Sequence, residues 1–363
     1  MNSLVPRQRV CFLPVAGIEC PHQLLTMKGL AEDGRFEVRH GVNARFFPCM
    51  RTWLRDRPDR FYFDWIDRFH SGRNSLLTLV KSVTFCIDVL MATKILRRPV
   101  YWTVHNLHSH EGTASNRREL YMQKFFARHA TRIRVFSNGA IGRVSARLGV
   151  EPAKLLALPE GSYMDYYPNE ISPALARQKL NIPRDQLVLL WLGHIRPYKG
   201  LAELIEAFRQ VARPNWRLII AGKPYIEAYA NEVAGQVRGN AQIAFYPRFI
   251  AEAELQVFFN AADAVVLPFT DIENSASLTM SMGFQKPVVA PNLGVIGERL
   301  RGQPELVYWP GGLAGTLEKL AAMPAARLAE IGLANAAEVQ RHNWKEIAGL
   351  FQNRDERRQS FVA

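Results

Sequence analysis

Two short segments carry the residue types that can neutralise a charged leaving group and move a proton. The first, Gly193-His-Ile-Arg-Pro-Tyr-Lys-Gly200, directly follows the apolar run Leu187-Val-Leu-Leu-Trp-Leu192. Gly193 and Gly200 let the backbone turn tightly, Arg196 offers a planar fork of donors, and Lys199 adds a point charge beside a helix start. Together they make a cradle for phosphate oxygens. An ordinary strand-to-helix connection with solvated charges would use the same residues, and the glycine spacing is not the dinucleotide fingerprint. The second segment, Thr103-Val-His-Asn-Leu-His-Ser-His-Glu111, gathers three histidines and a carboxylate. Histidine titrates near working pH and an aimed carboxylate accepts a proton, so this is general-base material. Metal binding is the weaker reading, because no paired carboxylates accompany the histidines.

A third segment complements the first. After Val265-Val-Leu-Pro268 comes Thr270-Asp-Ile-Glu-Asn-Ser-Ala-Ser277, then a helical run from Leu278 to Phe284. Small hydroxyl and amide residues at a helix start expose backbone N–H groups to an anion, although Asn274, Ser275 and Ser277 would serve ordinary capping equally well.

These loops need a scaffold, and the chain supplies an α/β rhythm. Apolar strands alternate with helical stretches: Arg9 to Val15, Phe36 to His40, Val100 to Val104 and Ile133 to Phe136 in the first half. The second half has Val188 to Leu192, Trp216 to Ala221, Ile243 to Tyr246, Ala264 to Leu267, Pro287 to Ala290 and Leu306 to Tyr308. Parallel sheets with crossover helices follow. With 363 residues, two domains are expected. Pro168, Pro173 and Pro183 place the boundary so that residues 1–170 form one Rossmann-like domain and 171–363 a second that includes the C-terminal helix. The apolar stretch Ser75 to Leu96 contains Lys81, Asp88 and Lys94, which suit a packed helix better than a spanning one, and favour it over one lying on a membrane.

The formal net charge is +13, and residues 1–170 hold 25 Lys and Arg against 15 Asp and Glu. A basic first half points to an anionic partner: a nucleic acid, an acidic membrane surface or a phosphorylated lipid. No RNA- or DNA-binding motif is present, so no nucleic-acid partner is expected. Cys11, Cys20, Cys49 and Cys86 have no zinc or redox spacing and fit a reduced cytoplasmic setting. The run Val10 to Gly17 is too short, and too soon broken by Pro14, for a signal peptide.

In order and spacing, the Gly193 to Gly200 loop, the strand end Ile220-Ala-Gly-Lys223, the turn Tyr246-Pro-Arg-Phe249, the helix Glu254 to Ala262 and the Asp271 to Ser277 loop resemble the nucleotide-sugar-binding half of a GT-B glycosyltransferase. The common form of that family has two glutamates flanking the later loop. Here Met280 occupies the second position and Glu273 alone remains, shifted in spacing. The form Asn-Ser-x-Ser followed by Gln285-Lys-Pro287-Val-Val-Ala-Pro291 is more similar to the bacterial exopolysaccharide glycolipid β-mannosyltransferases that use GDP-mannose. The Thr103 to Glu111 segment, the basic helix Asn116 to His129 and the turn Pro159 to Tyr163 fit the same branch, with Glu160 where a histidine is usual.

That resemblance implies two Rossmann-like domains around a cleft. Gly193, Arg196 and Lys199 would hold the donor diphosphate, Phe249 would face the base, and Glu273, Asn274, Ser275 and Ser277 would hold phosphate and sugar hydroxyls. The acceptor, a polyprenyl-diphosphate-linked oligosaccharide, would bind the basic N-terminal domain near Gly17, Asn106 and Tyr163. Its lipid tail would bring the Phe61 to Leu96 region, with Trp65, Phe69 and Phe85, to the inner face of an anionic cell membrane. Inverting transfer would use Glu111 or His110 as base, with His105 and Asn106 shaping the loop or touching the sugar. His108 reads as structural. No metal or cofactor is expected. A retaining transferase using UDP-glucose and a basic, non-enzymatic binding protein are the competing readings.

Overall fold

The computed structural model describes residues 6–17, 20–106 and 116–352. These divide into two compact units, Met1–Glu160 with Asn343–Ala363, and Gly161–His342.

The first unit is built on six parallel strands: β1 (Gln8–Leu13), β2 (Phe36–His40), β3 (Arg60–Phe63), β4 (Val100–Thr103), β5 (Arg132–Val135) and β6 (Leu155–Ala157). Their spatial order is β2-β1-β3-β4-β5-β6. The chain therefore leaves β1 in one direction, returns, and continues from β3 on its other side, which opens a crevice at the carboxyl ends of β1 and β3. Helices α1 (Pro21–Ala31), α2 (Pro48–Asp56), α3 (Ser75–Leu90) and α4 (Asn116–His129) are among those that cover the sheet. Phe63, Phe69, Phe85 and Phe126 form one aromatic core, with Phe85 and Phe126 stacked at 5.6 Å. Phe69 and Phe85 are thus committed to the interior, contrary to the expectation that they meet a membrane. Trp65 stacks on His105 at 4.5 Å.

The second unit repeats the design with β7 (Leu187–Leu192), β8 (Trp216–Ala221), β9 (Ile243–Tyr246), β10 (Ala264–Val266), β11 (Val288–Pro291) and β12 (Val307–Tyr308), in the order β12-β11-β10-β7-β8-β9. Continuous apolar strands such as Leu187–Leu192 suit a parallel sheet covered on both faces. The switch in direction falls between β7 and β10, which pair directly through Ala264 with Leu189 and Val265 with Leu190. Helices α5 (Leu201–Val211) and α6 (Ala276–Gly283) follow β7 and β10.

The division differs from the expected boundary in two ways. It falls after Glu160, because the segment beyond packs with the second unit: the Gln256 side chain accepts from the Glu170 and Ile171 backbone N–H groups. The helical segment Trp344–Phe351 belongs to the first unit. Ile347, Leu350 and Phe351 share a core with Val10, Phe12, Leu30 and Tyr62, and a side chain at Gly29 would collide with the Trp344 backbone.

Candidate functional sites

In the second unit the loops leaving β7, β8 and β10 enclose a cavity of about 340 Å³. Backbone bonds tie them together: Ile195 N–H donates to Lys223 O at 2.9 Å, and Thr270 N–H donates to Tyr198 O at 2.9 Å. Gly200 starts α5 with φ +70°, and any side chain there would strike the Pro268 carbonyl, so the β7 and β10 loops meet only because this residue is glycine. Gly193 has a different task. A methyl group in its place would lie 2.6 Å from Lys199 Nζ, so its missing side chain gives the ammonium its position.

Six of the residues named from the sequence as donor-binding candidates, Gly193, Lys199, Phe249, Asn274, Ser275 and Ser277, line this cavity. Burial, then the neighbouring Arg196 charge, pushes the Lys199 ammonium down to about 8. Such a cation is short of counter-charge, and an anion in the cavity would restore its full protonation. Ser275 caps α6, its Oγ accepting from Leu278 N–H at 3.1 Å, and the first turn of that helix opens on the same space. Arg196 and Glu273 are not in the lining: the Arg196 guanidinium lies over the Tyr225 ring at 3.4 Å. Sequence reasoning passed over His194, Tyr198, Gly222 and Lys223, which also line the cavity. The strand end Ile220-Ala-Gly-Lys223 carried the available signal, since the carboxyl ends of parallel strands are where such sheets bind ligands.

The first unit gathers His22, Asp64, His105 and Glu160 at the carboxyl edge of its sheet. His22 lies in the first turn of α1, Asp64 directly after β3, and His105 just beyond β4. Asp64 Oδ1 is 3.2 Å from His105 Nε2 and 3.9 Å from His22 Nε2, while His22 Nδ1 is 3.0 Å from Glu160 Oε1. Gln23 fixes the other Asp64 oxygen by donating to Oδ2 at 2.7 Å. The buried Arg134 side chain donates to the Leu158 and Pro159 carbonyls at 2.9 and 2.8 Å, which sets the turn carrying Glu160.

Burial alone would raise the Asp64 carboxyl. The hydrogen bond to His105, and the charge the two histidines carry when protonated, outweigh it and hold the group below the usual carboxylate range. Burial likewise lowers His105, only partly offset by Asp64. The outcome is a carboxylate beside a neutral imidazole. Nε2–H then donates to Asp64, which leaves Nδ1 as the basic nitrogen. The ligating atoms of His22, Asp64 and His105 lie within 4.8 Å of one another, close enough to share a cation. The same geometry is satisfied by the direct Asp64–His105 bond.

Of the remaining sequence candidates, Asn106 and Gly17 are exposed. Tyr163 falls in the second unit, where it is 2% exposed and packs beside Tyr167, so it offers no surface to an acceptor. His108, His110 and Glu111 lie outside the described residues. His22 and Asp64 were missed altogether.

Residues 174–301 match the family described as Glycosyl transferases group 1. The chain is 28% identical over 250 residues to GDP-mannose:glycolipid 4-beta-D-mannosyltransferase of Xanthomonas campestris pv. campestris, an alignment covering 69% of this chain and 66% of that one. The chain thus spans just under two thirds of that relative's length. It is also 28% identical over 156 residues to lipopolysaccharide 1,2-N-acetylglucosaminetransferase of Salmonella typhimurium, covering 40% of each. Among solved structures, sucrose-phosphate synthase from Thermosynechococcus elongatus superposes with a TM-score of 0.72 at 17% identity, over 98% of this chain and 100% of that one. Anabaena HepE in complex with UDP and glucose superposes with a TM-score of 0.70 at 18% identity, over 95% and 98%. The fold is the one these GT-B glycosyltransferases share.

Proposed function

Residues 174–301 being a group 1 glycosyltransferase domain, we propose that the chain transfers mannose from GDP-mannose to a polyprenyl-diphosphate-linked oligosaccharide, with inversion, in exopolysaccharide assembly at the cytoplasmic face of the cell membrane. The observation that carries the reading is the cavity at the β7–β10 switch point. There a cation pushed down to about 8, the first turn of a helix and two serines converge on one space. The similarity to a GDP-mannose glycolipid mannosyltransferase supports the donor and acceptor classes.

In this reading the second unit holds the donor. Lys199, the α6 N–H groups and the nearby Arg196 take up the negative charge that develops on the leaving diphosphate, and the scheme requires no metal. The first unit holds the acceptor. His105 removes the acceptor hydroxyl proton at Nδ1, while Asp64 fixes the ring and stabilises the imidazolium that results. The hydroxyl oxygen bonds to the anomeric carbon as the bond to the diphosphate breaks, and the proton stays on His105. Glu160 orients His22 against the same carboxylate. Sequence reasoning assigned the base to Glu111 or His110, which lie outside the described residues, and a shaping role to His105; the Asp64 contact supports His105 as the base.

A thermal-shift panel of nucleoside diphosphates tests the donor site, with GDP expected to stabilise most. An NMR assignment of the product anomer tests the mechanism; a retained configuration would overturn inversion. Binding that ignores every nucleoside diphosphate and collapses with salt would instead identify a non-enzymatic basic protein.

A further inference from the structure

Helix α3 and the single π turn that continues it, Met91–Ile95, have their polarity reversed. The segment is long and apolar enough by length and composition to cross a bilayer. The two charges within α3, however, point inward. Lys81 Nζ donates to the Arg68 and Ser71 carbonyls, and Asp88 accepts from Cys49 N–H at 2.6 Å and Met50 N–H at 2.9 Å at the start of α2. The outward face is apolar: Leu76, Leu79, Val80, Val83, Ile87 and Leu90 follow helical spacing along one stripe, and Ile95 extends it. Leu76 is 72% exposed and Ile95 70%. Seven of the sixteen large hydrophobic residues exposed among the described residues lie on this one segment. Such concentration marks a contact surface rather than ordinary surface composition.

We propose that this stripe lies in the plane of an anionic bilayer, with its apolar side chains inserted below the headgroups. Charge identifies the occupant. From residue 68 to residue 106 the chain has the cations Arg68, Arg73, Lys81, Lys94, Arg97 and Arg98 and the single carboxylate Asp88. With Lys81 and Asp88 turned inward, exposed Arg73 stands before the stripe and exposed Lys94 and Arg97 close it. A basic rim around an apolar face matches anionic headgroups above acyl chains. A symmetric second copy would instead set the cations at one end against those at the other. The helix lies on the membrane and does not span it, because its opposite face, with Phe85 and Val89, belongs to the unit's core. The proposal deepens the reading above by naming where the membrane of a lipid-linked acceptor is met.

The test is flotation of the full chain with vesicles of phosphatidylcholine alone or with about a third phosphatidylglycerol, at low and high salt and without nucleotide. The wild type is expected to float with the anionic vesicles. A V80S/V83S/I87S variant should lose bound fraction about tenfold with its melting temperature and GDP binding unchanged. An R73Q/K94Q/R97Q variant should lose binding to anionic vesicles only and show a flatter salt dependence. That variant carries the test alone if the serine variant melts early. Absence of wild-type binding, or both variants binding as the wild type does, overturns the proposal. A wild-type dimer that the serine variant converts to a monomer overturns it in favour of a copy-to-copy interface. Vesicle binding is read without donor or acceptor, so its failure leaves the donor assignment standing, and failure of GDP binding leaves this one standing.

Discussion

At the β7–β10 edge the polar groups are cations and helix N–H groups around an open cavity, whereas at the β1–β3 edge they are two histidines and two carboxylates gathered around the Asp64–His105 hydrogen bond. Both edges are switch points of sheets with the same kind of strand order. Topology therefore selects the place, and the residues carried there select the chemistry. One site is short of negative charge and suits an anion. The other holds a neutral imidazole beside a carboxylate and suits a proton acceptor.

The comparison breaks most visibly at Lys199. Lys199→Ala should reduce kcat/KM by about 100-fold or more, the scale of one lost donor to developing charge, and should weaken GDP in a calorimetric titration. Because this ammonium is pushed down to about 8, wild-type GDP affinity should fall as pH rises above that value. Binding should take up protons there, and the alanine variant should lose that dependence. Equal affinities in both proteins would remove Lys199 from the donor site.

His105→Ala should lower kcat by about 100-fold, within the range of a lost general base, while leaving GDP affinity unchanged. Asp64→Asn should cost less. Asp64 raises the His105 imidazole against the effect of burial, so its loss should move the acidic limb of the pH–rate profile to lower pH. A Glu111→Gln variant that slows transfer more than His105→Ala would shift the base to that residue.

Gly200→Ala tests whether the two donor loops depend on their close approach. It places a side chain at φ +70° and against the Pro268 carbonyl, and should destabilise by about 2 kcal/mol or more in thermal unfolding. Phe249→Ala should have the smallest effect. The ring is 53% exposed, and a loss of about 1 kcal/mol in GDP affinity is expected from one partly open aromatic contact.

The two sites were unequally legible. The strands of the second unit are continuous apolar runs bounded by turns, and Trp216–Ala221 and Ile243–Tyr246 match their sequence reading residue for residue. Their loops carry glycines, cations and serines, types with evident uses beside an anion. In the first unit β3 is the four residues Arg60–Phe63, ahead of a long apolar stretch that drew the reading toward a membrane. Missing the strand concealed Asp64, since a lone aspartate means little until it stands at a strand's carboxyl end. His22 lies in the first turn of a helix, and nothing local announces that Glu160, far along the chain, comes to lie 3.0 Å from it. The destination of Trp344–Phe351 was equally hidden, because its apolar side chains would suit either core.

That segment, Trp344–Phe351, sets the order in which the two units can be completed. The first unit's core needs Ile347, Leu350 and Phe351 against Val10 and Phe12, the two ends of the described chain. The second unit is contiguous from Gly161 to His342 and is complete as soon as His342 has emerged from the ribosome. The segment that follows the second unit thus finishes the core of the first. Until it arrives, the sheet of the first unit lacks part of its apolar cover and His22 lacks the Trp344 ring that lies 5.3 Å away.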